Sequence, residues 1–163
     1  MESVELSRGM FRRADAPPAS YPDRLAMPYR APRTVVCCVS AAAVHDLTDQ
    51  LPVAVQSAML TRDRSPRIAH PPTQAFCFAT DTFEVGLTAV KAPPGELVRI
   101  YDPARTIVDL MRVRHRLGEP LAHPALHRYL RCPDARPGAL LRLADTLGAQ
   151  GPAQRALDVA TAG

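Results

Sequence analysis

Proline limits what this chain can fold into more than any other residue. The 163 residues include 17 prolines, and a proline in a helix interior removes a hydrogen bond and clashes with the preceding turn. Several prolines fall early, in Pro17-Pro18 and in the string SYPDRLAMPYRAPR. No helical or strand period survives there. We therefore expect an irregular N-terminal arm over residues 1–33, followed by one domain over residues 34–163.

The first dozen residues differ from the rest of this arm. The string VELSRGMFRR alternates apolar and polar residues, which is typical of a strand, and Gly9 allows a bend. We predict one β-strand or half of a hairpin at the start of the arm.

The middle of the chain, residues 34–100, predicts a sheet. Its strand-like strings are short, β-branched or alternating: TVVCCV, VAVQSAML, QAFCFAT, TFEVGLTAV and ELVRIY. Short connections between such strings favour an antiparallel or mixed sheet. Ser40 is the predicted N-cap of a short helix, AAAVHDL, that should end before Leu51-Pro52.

The later residues predict helices. Asp102 followed by Pro103 is typical of an N-cap and a first helical position, and Gly118 is a suitable end for that helix. Pro124 fits only the opening turn of a second helix, and Pro137 opens a third. At most one short helix is expected after residue 149. The predicted fold class is α+β, with a small mixed or antiparallel sheet from about residues 34–100 packed against a C-terminal helical group.

Composition predicts a globular protein, and the absence of targeting signals predicts a cytoplasmic one. Hydrophobic residues make up 47% and charged residues 22% of the chain, near the globular average. No apolar run is long enough to span a bilayer, and the N-terminus has no apolar core of a secretory signal. The four cysteines are therefore expected to be reduced and to pack in the core.

The sequence offers no recognisable catalytic motif. It contains no Walker A loop and no GxGxxG, GxSxG or HExxH string. His123 and His127 have the four-residue spacing of metal ligands on a helix, but Pro124 lies between them and no third ligand is evident. We interpret both as surface histidines, and His45 as a partly buried imidazole with a satisfied hydrogen bond. We expect no enzyme activity, no cofactor and no metal.

Charge is distributed unevenly. Residues 99–142 hold nine arginines against four acidic residues, whereas residues 40–98 hold four basic residues against six acidic ones. A cationic helical half can meet phosphates or an acidic protein partner.

Four charged residues of this half share one helix face: Arg105, Asp109, Arg112 and Arg116. Their spacing predicts an ion-pair ladder on the helix surface. We therefore expect replacement of both Arg105 and Arg112 by Ala to leave the fold intact, because apolar neighbours supply the burial.

Taken together, five strings in the chain resemble the AbiEi family, the antitoxins of type IV toxin–antitoxin systems. The strings are RGMFRR (8–13), RAPRTVVCCVSAAAVHDLTDQLP (30–52), PRIAHPPTQAFCF (66–78), VRIYDPARTIVDLMRVRHRLG (98–118) and ALHRYLR (125–131). The string from Arg33 to Pro52 and the string RTIVDLMRVR are the most specific. The order and spacing of the strings carry the resemblance more than any one of them does.

The resemblance implies an antitoxin that counteracts a nucleotidyltransferase toxin of the AbiEii type, without forming a stable complex. Family members usually join an N-terminal winged helix-turn-helix, which represses the operon, to a larger C-terminal antitoxin domain. By the resemblance, Arg105, Asp109, Arg112 and Arg116 form the antitoxicity or partner face. RGMFRR resembles the second strand of a wing, where Arg8, Arg12 and Arg13 would contact phosphates.

The chain departs from the family pattern at its start. The helices that should precede the wing strand are missing, so there is no recognition helix for a major groove. We expect either a truncated or mis-started gene product or a stand-alone C-terminal domain. The alternative function, a DNA-binding repressor of the toxin–antitoxin operon, needs that winged helix, so only weak contact with DNA is expected of this chain.

Overall fold

The computed structural model describes residues 3–7, 10–13, 33–60, 73–92, 96–117 and 121–162. Within them lie two sheets and six helices. The first sheet is a hairpin of β1 (Ser3–Ser7) and β2 (Met10–Arg13), paired antiparallel with an irregularity between Glu5 and Ser7. This confirms the strand predicted at the start of the arm. Residues 14–32, predicted to be irregular, lie outside the described residues.

The second sheet has five strands. They are β3 (Val35–Val36), β4 (Val55–Leu60), β5 (Thr73–Phe78), β6 (Leu87–Ala92) and β7 (Glu96–Tyr101). The strand order is β5-β4-β3-β7-β6. Strands β3 and β7 are parallel to each other, as are β4 and β5, while β3 with β4 and β6 with β7 are antiparallel. The sheet is therefore mixed, and the predicted α+β class is confirmed.

The central strand β3 is shorter than its apolar string suggests. The helix α1 (Cys38–Val44) begins immediately after it, with Cys37 as its N-cap. The prediction that Ser40 caps this helix is wrong: Ser40 lies inside α1, and its Oγ accepts a hydrogen bond from the backbone N of Gln56 at 2.8 Å. In return, Oε1 of Gln56 accepts from the backbone N of Val39 at 2.8 Å. A residue of β4 therefore satisfies the start of α1.

The remaining helices follow the sheet. They are α2 (Pro103–Arg112), α3 (Arg114–Leu117), α4 (Ala122–Leu130), α5 (Pro137–Thr146) and α6 (Gln150–Thr161). The predicted cap of α2 is confirmed, because the Asp102 side chain accepts a hydrogen bond from the backbone N of Arg105 at 2.8 Å. The last helix, α6, is longer than the short one expected, at 12 residues.

Helix α2 lies at the centre of the protein. It packs against α1, α4, α5 and α6. One apolar cluster joins these helices to one face of the sheet, which contributes Val35, Ala58, Phe76, Phe78 and Tyr101. A smaller cluster covers the other face with Val36, Val55, Val98, Ile100 and Ala41. Because α2 has neighbours on several sides, more than one of its faces is removed from water.

The cysteines divide into two pairs. Cys37 and Cys38 are buried between β3 and α1, as predicted, whereas Cys77 and Cys132 are exposed, so the prediction that all four pack in the core is wrong. Cys77 projects from β5, an edge strand of the sheet.

Candidate functional site

The predicted ion-pair ladder exists, but half of it is inside the protein. Nε of Arg105 lies 3.0 Å from Oδ2 of Asp109, and Nη1 of Arg112 lies 2.8 Å from Oδ1 of the same carboxylate. The side chains of Arg105 and Asp109 are fully buried, whereas that of Arg112 is 24% exposed. The expected solvated face is therefore wrong for Arg105 and Asp109, because this face of the central helix α2 is also covered.

Arg105 has contacts well beyond α2. Its Nη1 donates to the backbone oxygens of Thr82 and Val85, each at 2.8 Å. Its Cζ lies 4.2 Å from the centroid of the Tyr101 ring and 5.5 Å from that of Phe78, within the range of cation–π attraction. Arg105 thus holds the turn before β6 against the sheet and α2.

One guanidinium nitrogen of Arg105 is left over. Among the described residues, its Nη2 is the one buried side-chain nitrogen or oxygen without a hydrogen-bond partner. Two aromatic rings lie near this guanidinium, and their faces offer a partial substitute for the missing acceptor.

Burial sets the protonation behaviour around this cluster. It raises the pKa of the Asp109 carboxyl, while the charges of Arg105 and Arg112 oppose the rise. It also raises the pKa of the Tyr101 hydroxyl, which donates to the backbone oxygen of Phe83 at 2.7 Å. Burial raises the pKa of the Cys37 thiol well above its ordinary value too. Because Arg105 and Asp109 are fully buried, they have no surface with which to touch a partner.

The accessible part of the predicted partner face is Arg112 and Arg116. Cζ of Arg112 lies 5.2 Å from the Phe78 ring centroid, and Cζ of the exposed Arg116 lies 4.3 Å from that of Phe76. Both guanidinium groups therefore lie over aromatic rings of β5, within the range of cation–π attraction. The structure thus brings Arg105, Asp109 and Arg112 together and places Arg116 apart from them on the surface.

The three arginines predicted to contact phosphates belong to the arm. Arg8 lies outside the described residues. Arg12 and Arg13 lie on β2, where they pair with Val4 and Ser3 in register. Their phosphate contacts remain a prediction.

A basic groove that the sequence analysis missed lies between α3, α4 and α6. Its volume is about 300 Å³. Its basic residues are Arg114, His123 and Arg155. Its apolar residues are Met111, Ala122, Pro152, Ala156 and Val159. The excess of arginine over residues 99–142 was a partial signal, but it did not indicate that basic residues from three separate helices meet.

A second hollow, of about 500 Å³, has the opposite charge. Its charged residues are Asp81 and Glu84, beside Leu60 and Phe83. The predicted surface positions of His123 and His127 are confirmed, since both are exposed. The prediction for His45 is confirmed too: its Nε2 donates to the backbone oxygen of Tyr101 at 2.7 Å.

In the described part of the chain, no three His, Cys, Asp or Glu side chains are grouped so as to hold a metal ion. None of the helices described there has both the length and the apolar character that crossing a bilayer requires.

No protein-family model matches this sequence, and no curated protein is significantly similar to it.

Proposed function

We propose that this protein is the antitoxin of a type IV toxin–antitoxin system and counteracts a nucleotidyltransferase toxin of the AbiEii type. The proposal begins from the resemblance of its strings to the AbiEi family. In support, the two most specific strings lie in elements that pack directly on each other, α1 and α2. The similar residues therefore belong to one packed unit and are not scattered over the surface.

One observation carries the proposal further. The segment RTIVDLMRVRHR starts at a buried ion pair, Arg105 with Asp109, and ends in exposed basic side chains, Arg114, His115 and Arg116. An anchored helix, α2, followed directly by a short helix with exposed cations, α3, suits contact with an acidic partner or with phosphates. In this proposal the protein acts by that contact, without catalysis of its own.

Growth rescue tests the proposal. The full chain is co-expressed with a nucleotidyltransferase encoded beside its gene, and we expect growth to be restored. Failure of the intact, soluble chain to restore growth would contradict the proposed function, as would the lack of any neighbouring nucleotidyltransferase gene.

The same assay tests the partner face. We expect Arg112→Gln with Arg116→Gln to reduce rescue, while Arg131→Gln with Arg142→Gln, an equal loss of charge at exposed positions elsewhere, retains it. Circular dichroism checks that both variants fold. Full rescue by the folded Arg112/Arg116 variant would remove those two residues from the proposal.

A DNA-binding repressor of the operon is the second candidate, and the β1–β2 hairpin is the observation in its favour. A hairpin alone contacts the DNA backbone but reads few bases. We expect no operator-specific gel shift for this chain at near-physiological salt. A nanomolar, sequence-selective shift would favour the repressor instead.

A further inference from the structure

The basic groove between α3, α4 and α6 shares only Arg114 with the segment used in the function proposed above. Three elements supply its basic groups: Arg114 begins α3, His123 lies in the first turn of α4, and Arg155 lies in the first half of α6. These side chains are exposed. The fold therefore gathers basic groups from positions up to 41 residues apart into one concave surface of about 300 Å³.

The charges of the groove are not neutralised by the described residues. None of the described carboxylates forms a salt bridge with Arg114, His123 or Arg155. Arg114 is held in place by its Nη1, which donates to the backbone oxygen of Met111 at 3.2 Å. Arg155 makes no hydrogen bond to another described side chain. Donor groups are thus available to a ligand.

The apolar residues of the groove strengthen the attraction between its basic groups and an anion. Met111, Ala122 and Ala156 are buried. They place the basic groups beside a region of low dielectric constant. Charge–charge attraction rises as the local dielectric falls. In addition, the N-termini of α4 and α6 have neither a side-chain cap nor an acidic residue in the first turn, so their partial positive charge is not offset there.

We propose that this groove binds a terminal phosphate group. Two guanidinium groups and an imidazole match the two negative charges and the several acceptor oxygens of a phosphate monoester better than they match a single carboxylate. Among the described residues, the groove contains no Phe, Tyr or Trp side chain, so it lacks the large aromatic platforms on which bases most often stack. We therefore expect the phosphate to contribute more to recognition than the base does.

The test is an NMR titration of the full ¹⁵N-labelled chain with inorganic phosphate at constant ionic strength. We expect saturating shifts of the backbone amides around residues 122–123 and 152–155. Adenosine 5′-monophosphate and a 5′-phosphorylated oligonucleotide then separate a free phosphate from a nucleotide or nucleic-acid end. Adenosine and the 5′-hydroxyl oligonucleotide are the matched ligands without that phosphate.

Variants locate the binding. We expect Arg114→Gln with Arg155→Gln to raise the dissociation constant for inorganic phosphate at least about tenfold. Arg131→Gln with Arg142→Gln removes the same amount of charge outside the groove, and it should change this dissociation constant less than about twofold. Because Arg114 also bonds to Met111, Arg155→Glu is a second variant that leaves that bond in place, and we expect it to weaken binding as well.

Three results would overturn the proposal. They are shifts that do not saturate, equal weakening by the control variant, and binding of an acidic peptide by a chain that does not bind phosphate. None of these measurements involves a toxin, so the phosphate site and the proposed antitoxin function stand or fall separately.

Discussion

Asp109 shows at the level of one residue how this protein tolerates a buried charge. Its carboxylate accepts from Arg105 at 3.0 Å and from Arg112 at 2.8 Å. Arg105 in turn donates to two backbone oxygens and lies over the Tyr101 ring, while its Nη2 has no acceptor among the described residues. Removing one member of a buried ion pair leaves the other charge without compensation, and this costs more than the pair contributes while it is intact.

We expect Arg105→Ala to lower the free energy of unfolding by about 3–5 kcal/mol. This reverses the expectation from sequence that the Arg105/Arg112 double variant keeps its fold. Urea unfolding is the measurement, and the exposed control Arg142→Ala should stay within about 0.5 kcal/mol of the parent. A cost for Arg105→Ala as small as that of the control would show that the buried pair does not stabilise the fold.

The raised pKa of Asp109 gives a pH dependence with a definite sign. Burial raises the folded-state pKa above the unfolded value, so the folded state holds its proton to higher pH. The resulting stabilisation is full below the ordinary pKa of aspartate, about 3.9, and is lost as pH rises through the folded pKa.

The comparison of the parent with Asp109→Asn isolates this contribution, because asparagine does not titrate. We expect the unfolding free energy of the parent, relative to that of the variant, to fall as pH rises from about 4 towards neutrality. Unfolding curves across that range are the measurement. A relative stability that rises with pH would show that the two arginines outweigh burial and lower the pKa.

At the scale of elements, the turn before β6 depends on Gly86. This residue has φ +75°, and its backbone oxygen accepts from the backbone N of Asp102 at 2.8 Å. A Cβ at this position would lie 2.7 Å from Cβ of Arg105. Gly86 therefore provides both the left-handed backbone and the close approach that lets Arg105 reach the turn.

Gly86→Ala should be more destabilising than Gly148→Ala. Both glycines have φ +75°, but a Cβ at Gly148 would have no atom within 4 Å. We expect Gly148→Ala to lower the free energy of unfolding by about 1–2 kcal/mol, from backbone strain alone. Gly86→Ala should lower it by about 1–3 kcal/mol more, from overpacking. Thermal or urea unfolding measures the stability of both variants. Equal losses of stability would show that the close approach of Gly86 to Arg105 adds nothing to the cost.

An element could be predicted from the sequence when the residues that determine it lie close together in the chain. Asp102 and Pro103 act within one turn, so the start of α2 was predictable from sequence. The start of α1 was not, because Gln56, on a different strand, satisfies it through Val39 and Ser40. The turn around residue 86 was predicted as strand, since the alternation of TFEVGLTAV does not reveal the contact with Arg105.

At the scale of the whole molecule, a single apolar cluster connects the sheet to helices α1, α2, α4, α5 and α6. Helix α2 touches each of the other four helices. The α+β class was predictable because it needs only the order of strand-like and helix-like strings. The burial of Arg105 and Asp109 was not, because helix spacing shows which residues share a face but not that a central helix has that face covered.

We expect the body of the protein to unfold in one cooperative step. Tyr101, in the sheet, and Tyr129, on α4, belong to the same cluster, and the chain has no tryptophan. Near-UV circular dichroism of tyrosine and far-UV circular dichroism of the backbone should therefore give the same urea midpoint. Separate midpoints would show that sheet and helices unfold independently.

Because Arg105 and Asp109 are buried, their presence in another protein is a poor basis for inferring that protein's function. A search pattern built on this arginine and aspartate would retrieve chains that share an architectural requirement, whatever each of them does in the cell. Assigning a biological role to such chains calls for comparing their solvent-facing guanidinium groups, which are free to diverge while the scaffold stays the same.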